Sequence, residues 1–196
     1  MGGYRITDQH ALYFVTLTTV GWMDVFTRLI YKNDIIESLA YCKKSKGLQL
    51  YAYVIMSNHL HLIVSAEETH DLSDILRDFK KYTAKKIINR IRNETESRKE
   101  WMLVNMIYHA KYNKRNHTYQ FWQQDNHPIR LESPKWIETR LNYIHMNPVR
   151  AGVVDQACDY RHSSARSYYE DERECLLDVM VLEYIGPGGY YYYPGN

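Results

Sequence analysis

Two histidines separated by a single residue are the first feature of this 196-residue sequence whose types and spacing could do chemistry. His59 and His61 lie in the apolar segment YVIMSNHLHLIVS. Side chains alternate between the two faces of a strand, so both imidazoles point to one face while Leu60 and Leu62 point to the other. The leucine face can pack in a core, and the histidine face is then available to bind a metal ion.

Two imidazoles alone make an incomplete metal site, which suits catalysis better than a structural role. A catalytic site keeps positions open for water or substrate, and this one also needs an oxygen ligand. Taken by itself, the His-x-His pattern has a simpler interpretation in which one or both imidazoles only hydrogen-bond within the protein. The metal site is therefore favoured only if a second group of suitable residues occurs elsewhere in the sequence.

That second group lies on a helix predicted over residues 133–148, SPKWIETRLNYIHMNP. Ser133 is the expected N-cap, Pro134 occupies the first turn, and Pro148 is expected to close the helix. One face carries four residues at positions i, i+4, i+7 and i+11, namely Trp136, Arg140, Tyr143 and Asn147. An adjacent apolar stripe can pack on a sheet and consists of Ile137, Leu141 and Ile144.

Tyr143 is the candidate nucleophile on this helix. A tyrosine hydroxyl is by itself a weak nucleophile, and a phosphate polarised by a divalent cation reduces the activation that the hydroxyl needs. The sequence has 19 tyrosines, so a simple packing role for Tyr143 is the competing interpretation. His145 lies about 200° around the helix from Tyr143 and is not assigned to the same site.

These residues have to be positioned by a sheet and its helices, and the sequence predicts both. With a tight turn at 57–58, strands are expected at residues 11–20, 48–56, 59–64 and 127–131. Helices are expected at residues 32–47, 71–91, 100–110 and 133–148. This order predicts an α+β fold, a ferredoxin-like or RRM-like sandwich with an antiparallel sheet and an extra C-terminal catalytic helix. RNA-recognition modules share that core, so the fold alone does not select a function.

Composition indicates one domain in a reducing compartment. We expect this domain over residues 1–170, with an insertion at about 93–120, and then an acidic and Gly/Tyr-rich C-terminal extension over 171–196 that is poorly ordered at its end. No apolar run approaches the roughly 20 residues of a membrane span, and the N-terminus lacks the pattern of a signal peptide. The three cysteines are widely spaced and form no zinc or disulfide pattern, which favours a cytoplasmic protein.

Charge is unevenly distributed although the net formal charge is only +2. Residues 77–92 contain seven Lys or Arg and one acid, whereas residues 170–183 contain six acids and one Arg. A local basic face on a nearly neutral protein predicts a binding site for a polyanion. The alternative interpretation is an ordinary solvated helix face.

Four ordered motifs resemble those of the REP-associated tyrosine transposases, chromosomal relatives of the single-tyrosine HUH transposases of bacterial insertion sequences. The motifs are YAYVIMSNHLHLIV, LRDFKKYTAKKI, FWQQDNHPIRL and YIHMNPVRAGVV followed by YRHSSARSYY. The resemblance extends from about residue 10 to residue 170. It implies a metal-dependent single-stranded DNA endonuclease and strand transferase that acts near DNA hairpins through a 5′-phosphotyrosine intermediate.

The resemblance also implies roles for individual residues. His59 and His61 match the histidines that bind the metal, and Tyr143 matches the nucleophile. Asn147 lies where relatives place a polar third ligand, a glutamine in many of them, and its amide oxygen suits Mg²⁺ or Mn²⁺. Candidate contacts to the DNA backbone are Lys80, Lys81, Lys85, Lys86, Arg140 and Arg150.

Implied partners are single-stranded DNA with a hairpin and, following the insertion-sequence relatives, a second copy in a homodimer. Chromosomal relatives can act as monomers, so both states stay open. The implied location is the bacterial cytoplasm, in association with the nucleoid.

Two departures from the family pattern leave alternatives open. Ser57 stands where relatives commonly have proline, and the interval from His61 to Tyr143 is longer than in compact relatives. Tyr82 and Tyr119 therefore stay as competing candidates for the nucleophile. Other functions to consider are a non-catalytic RRM-like nucleic-acid-binding module and a domesticated hairpin-binding protein that has lost cleavage.

Overall fold

A four-stranded antiparallel sheet forms the centre of the molecule, in a computed structural model that describes residues 5–113, 118–169, 172–184 and 191–192. Its spatial order is β2–β3–β1–β4, and the strands are β1 (Tyr13–Thr18), β2 (Leu48–Ile55), β3 (His59–Ala66) and β4 (Ile129–Arg130). A helix follows β1 and another follows β3, so β1 and β2 are joined by a crossover with β3 inserted between them. This is the predicted ferredoxin-like arrangement.

One face of the sheet is covered by α1 (Leu29–Ser45) and α2 (Leu72–Asn93), with α3 (Lys99–Lys111) beside them. The core on this side includes Leu60 and Leu62 of β3, both almost completely buried, together with Val15 and Leu17 of β1. The alternation of β3 therefore places its leucines where the sequence predicts them. The short helix expected within residues 100–110 exists as α3.

The opposite face is covered by α4 (Pro134–Arg150), which packs Ile137 and Ile144 into a second apolar cluster with Ile63 of β3. The predicted N-cap is confirmed, because the hydroxyl of Ser133 accepts a hydrogen bond from the amide of Trp136 at 3.3 Å.

The prediction that Pro148 closes α4 is wrong. Pro148 lies inside the helix, which continues to Arg150, and the amide of Ala151 still donates to the carbonyl of Asn147 at 3.0 Å. An interior proline removes its own hydrogen bond and crowds the preceding turn, but Pro148 is buried two residues before the end of the helix, where few further hydrogen bonds depend on it. As a consequence Arg150, which the prediction left outside the helix, belongs to the same continuous helix as Tyr143 and Asn147.

The acidic segment after α5 (Ala165–Tyr168) lies against the protein. Leu177 and Leu182 are buried, and the amide of Met180 donates to the carbonyl of Leu50 at 2.9 Å. This segment was expected to be an extension with a poorly ordered end, but through residue 182 it contributes to the core. Further on, β5 (Glu183–Tyr184) pairs with β6 (Tyr191–Tyr192), while 185–190 and 193–196 lie outside the described residues. Within the described ranges, no helix is both long and apolar enough to cross a membrane.

The burial of His162 predicts a specific pH dependence of stability. Burial, together with the charges of Lys32 and Arg161, lowers the pKa of His162 to about 4. As the pH falls below about 6.5, the unfolded chain takes up a proton that the folded chain excludes, so stability decreases. When the pH is lowered from 7 to 5, the free energy of unfolding is expected to fall by about 2 kcal/mol less in the His162→Gln variant than in the wild type. Urea unfolding at the two pH values measures this difference. Parallel losses in the two proteins would contradict the prediction.

Candidate active site

Tyr143 and the two histidines lie together between the sheet and α4. The ring centroids of His59 and His61 are 4.6 Å apart, and those of His61 and Tyr143 are 5.1 Å apart. Phe14 of β1 stacks on His61 at 5.2 Å and meets Tyr143 edge to face at 6.0 Å. The structure therefore brings the two predicted histidine ligands and the predicted nucleophile into one cluster of rings within a single chain.

The imidazole of His59 is oriented by the preceding residue. Its Nδ1 lies 2.7 Å from Oδ1 of Asn58, and Nδ2 of the same amide donates to the carbonyl of Trp22 at 3.2 Å. The second contact fixes which end of the amide faces His59, so Nδ1 of His59 donates to Oδ1. The lone pair of this neutral imidazole is then on Nε2, the atom left to bind a metal.

The imidazole of His61 is held by a contact with the neighbouring strand, and Nε2 is free to bind a metal when Nδ1 donates to that partner. Thr16 is its partner in the register of β1 and β3, and Oγ1 of Thr16 lies 2.9 Å from Nδ1 of His61. His61 is only 5% exposed, and its buried Nε2 has no hydrogen-bond partner within the part of the chain that the structure describes. A buried nitrogen without a partner is costly, and a bound metal ion would satisfy it.

The protonation states of both histidines suit metal binding. Burial lowers the pKa of His61 to about 3, with further contributions from the charges of His59 and Arg140. Burial also lowers the pKa of His59. Both imidazoles are therefore neutral at physiological pH, which is the form that coordinates a metal.

The third ligand would come from a side chain of another type. No group of three or more His, Cys, Asp or Glu residues that could hold a metal occurs in the described ranges. Asn147 lies half-buried on α4, four residues after Tyr143, where helical spacing places the two side chains on the same face. A site made of two imidazoles and an amide oxygen fits Mg²⁺ or Mn²⁺.

Two arginines of α4 flank Tyr143 with positive charge. The guanidinium of Arg140 lies 4.9 Å from the ring centroid of Phe14, and that of Arg150 lies 5.7 Å from the ring centroid of Tyr143. Both are therefore close to the rings of the site, where a phosphate group could pair with them. Trp136, the fourth residue of the predicted helix face, is exposed at the start of α4.

The competing tyrosines lie on the other side of the sheet. Tyr82 is an exposed residue of α2, and Tyr119 packs against the core formed with α1 and α2. His145 is also separate from the site, because its Nε2 lies 3.0 Å from Oγ of Ser164 in a buried contact. These placements favour Tyr143 as the nucleophile candidate.

The four lysines predicted to contact DNA differ in their surroundings, and all are on α2, across the sheet from the histidines. Nζ of Lys80 donates to the carbonyl of Gln123 at 2.7 Å, and burial lowers its pKa to about 8. Lys86 pairs with Asp34 at 3.0 Å. Lys81 and Lys85 are exposed, so these two lysines are better placed than Lys80 and Lys86 to contact the DNA backbone.

Sequence reasoning did not identify the residues that orient the site. Asn58 could have been suspected, because it directly precedes the histidine strand. Thr16 and Phe14 could not be identified, because their contacts with His61 depend on the register between β1 and β3, in which Thr16 faces His61 and Phe14 faces Ile63.

Replacing Thr16 with valine tests the orientation of His61. The substitution removes the hydroxyl at nearly constant volume, and we expect the dissociation constant for Mn²⁺ to rise about 10- to 100-fold, as is typical when such a partner is lost. Isothermal titration calorimetry measures the change. Thr18→Val is the matched control, because Thr18 lies on the same face opposite His59 and its hydroxyl contacts neither histidine among the described residues. Equal effects of the two substitutions would contradict the assignment.

A family model of IS200-like transposases matches residues 11–118. The chain belongs to this family. The matched segment contains both histidines of the site and ends before α4. The family match therefore does not extend to Tyr143 and does not assign a role to it.

The fold is also found in solved structures. A REP-associated tyrosine transposase bound to a REP hairpin is 22% identical, with a TM-score of 0.57 over 95% of this chain and 100% of that one. A protein from Deinococcus radiodurans R1 described as a transposase is 16% identical, with a TM-score of 0.41 over 71% of this chain and 93% of that one, a likeness too slight to argue from. A comparison with curated protein sequences found no match.

Proposed function

We propose that this transposase is a metal-dependent single-stranded DNA endonuclease and strand transferase that uses Tyr143 as its nucleophile. The observation that carries the proposal is the buried Nε2 of His61, which has no hydrogen-bond partner among the described residues and belongs to the imidazole that touches the ring of Tyr143. A bound metal ion would give Nε2 of His61 a partner, and it would activate the phosphate that the neighbouring phenol of Tyr143 attacks.

Cleavage would follow from the residues that surround this point. His59, His61 and Asn147 would hold Mg²⁺ or Mn²⁺, which when bound polarises the scissile phosphate. Oη of Tyr143 attacks the phosphorus and loses its proton to water, and the bond to the 3′ oxygen breaks. The products are a 5′-phosphotyrosine and a free 3′-OH, while Arg140 and Arg150 offset the charge of the phosphate.

Strand transfer would reverse the same step with a different strand. A second 3′-OH attacks the phosphotyrosine, forms a new phosphodiester bond and returns the phenol of Tyr143. The covalent intermediate conserves the energy of the broken bond, so no nucleotide cofactor is required. Because His61 and Tyr143 of one chain are already in contact, and His59 contacts His61, this chemistry would need no catalytic residue from a second copy in a homodimer.

The substrate that we propose is single-stranded DNA next to a hairpin. The shared fold with a transposase described as bound to a REP hairpin supports this choice. The exposed Lys81 and Lys85 of α2 would contact the DNA backbone.

The two alternatives make different use of the same sheet. A non-catalytic RRM-like module presents aromatic side chains on an open face of its central strands. Here that face carries His59 and His61 and is covered by α4. A domesticated hairpin-binding protein would have no need of an unpartnered buried imidazole, so catalysis is favoured over both.

A covalent trapping experiment tests the proposal. The protein is incubated with Mn²⁺ and single-stranded DNA that carries a hairpin from the flank of its own gene. We expect a protein–DNA adduct that survives denaturation, requires the metal, and maps to the peptide containing Tyr143. Tight binding of the hairpin without any adduct would instead indicate a binding protein that has lost cleavage.

A further inference from the structure

An exposed tryptophan lies directly beside the candidate metal site. The ring centroid of Trp22 is 6.3 Å from that of His59, and the side chain is 60% exposed. Its backbone has φ of 53°, a left-handed conformation that bulky residues rarely adopt. Asn58 supports this conformation by donating to the carbonyl of Trp22 with the amide group that also binds His59. The strained backbone therefore holds a large aromatic ring in solvent at the edge of the site.

A second set of exposed rings continues from this position along α3. The preceding residue, Gly21, lies so close to α3 that a Cβ atom there would be 3.1 Å from Nε2 of His109. The ring centroid of His109 is 5.5 Å from that of Tyr108, which in turn is 5.2 Å from that of Tyr112. The close approach of Gly21 to His109 and these ring contacts thus place the outer face of α3 next to the segment that carries Trp22.

The outer rings are available for binding, since Tyr108 is 54% and Tyr112 is 76% exposed. Exposed aromatic residues in contact with one another provide flat surfaces on which unpaired bases of any sequence can stack. Lys111, exposed between the two tyrosines, adds a positive charge for a phosphate. Residues 99–112 contain only one acid, Glu100, which does not oppose a polyanion strongly.

We propose that Trp22, Tyr108 and Tyr112, which we call the stacking path, bind the unpaired bases of a DNA strand that leaves the candidate active site. This inference rests on the proposed function for the identity of the nucleic acid. Tyr112 is four positions after Tyr108, a rise of about 6 Å at about 1.5 Å per residue, so the tyrosines alone accommodate about two stacked bases at about 3.4 Å each. Trp22 supplies the first platform, next to the scissile phosphate.

Fluorescence anisotropy with two labelled DNA hairpins tests the stacking path. One hairpin has an unpaired flank and the other has none, and both are measured in the full-length Tyr143→Phe background, so that no cleavage occurs. We expect Trp22→Ala, and separately the double variant Tyr108→Ala and Tyr112→Ala, to weaken binding of the flanked hairpin by about fivefold or more. Binding of the hairpin without a flank is expected to stay unchanged.

Two controls separate stacking from other effects. Tyr108→Phe with Tyr112→Phe keeps both rings and is expected to keep the affinity. Tyr41→Ala removes a tyrosine that is 58% exposed on α1, outside the stacking path and outside the proposed contacts to the DNA backbone, and it is not expected to change the affinity. Unchanged binding of the flanked hairpin in the alanine variants, or equal losses for both hairpins, would overturn the proposal.

The outcome is distinct from that of the trapping experiment. A loss of flank binding in the alanine variants supports the stacking path even if no covalent adduct forms in the wild type. An adduct in the wild type together with unaffected flank binding removes the stacking path alone. If light scattering shows that the α3 variants dissociate a dimer while DNA affinity is unchanged, this face binds a second copy and the proposal is wrong.

Discussion

The Tyr143→Phe variant is expected to form no covalent adduct with DNA and still to bind it. The substitution removes the hydroxyl nucleophile but keeps the ring, which contacts His61 at 5.1 Å and Phe14 at 6.0 Å between centroids. Loss of a nucleophile typically lowers the rate by a factor of about a thousand to a million. Denaturing electrophoresis of labelled DNA after incubation with Mn²⁺ measures adduct formation, and anisotropy measures binding.

The competing tyrosines are the controls for this experiment. Tyr82→Phe and Tyr119→Phe are expected to form adducts at the wild-type rate, because both residues lie on the α1 and α2 side of the sheet. An adduct that persists in Tyr143→Phe and disappears in either control would show that the nucleophile has been assigned to the wrong helix.

The affinity of the His61→Leu variant for Mn²⁺ is expected to be lower than that of the wild type by more than about 100-fold. Its free energy of unfolding without metal is not expected to decrease. The buried Nε2 of His61 has no hydrogen-bond partner among the described residues, and such an atom costs about 1–3 kcal/mol in the folded state. Leucine fills a similar volume without that cost, and this gain offsets the loss of the contact between Nδ1 of His61 and Oγ1 of Thr16 at 2.9 Å. Calorimetric titration with Mn²⁺ and urea unfolding in a chelating buffer measure the two quantities.

A second buried histidine supplies the matched control. His145 is as well buried as His61, but its Nε2 lies 3.0 Å from the hydroxyl of Ser164. His145→Leu is therefore expected to lose stability, because it removes a satisfied buried hydrogen bond and relieves no unpartnered atom, and to keep its affinity for Mn²⁺. If His61→Leu is destabilised as strongly as His145→Leu and still binds metal, His61 has a structural role.

Local patterns were sufficient to predict the elements and the main residues of the candidate site. The period of two in β3 and the helical spacing in α4 depend only on neighbouring residues, so the faces of His59, His61 and Tyr143 could be read from the sequence. The separation of His145 from that face followed from the same geometry and is what the structure has.

What could not be predicted depends on partners that are distant in the sequence. The basic run on α2 predicted four equivalent lysines, yet Lys80 binds carbonyl groups more than 40 residues away and Lys86 pairs with Asp34 of α1. The packing of Leu177 and the continuation of α4 past Pro148 likewise depend on tertiary contacts. Composition carries no information about which charges are already paired within the fold.

The register between β1 and β3 determines both the packing of the core and the geometry of the candidate site. In the observed register Thr16 faces His61 and Thr18 faces His59, while Leu60 and Leu62 point to the other side. If β3 were shifted by one residue in its pairing, its two faces would be exchanged. Both imidazoles would then be buried beneath α1 and α2, and the leucines would face α4. Misregistered molecules would thus lose the core and the site together, so a population that folds imperfectly contains inactive molecules rather than molecules with altered chemistry.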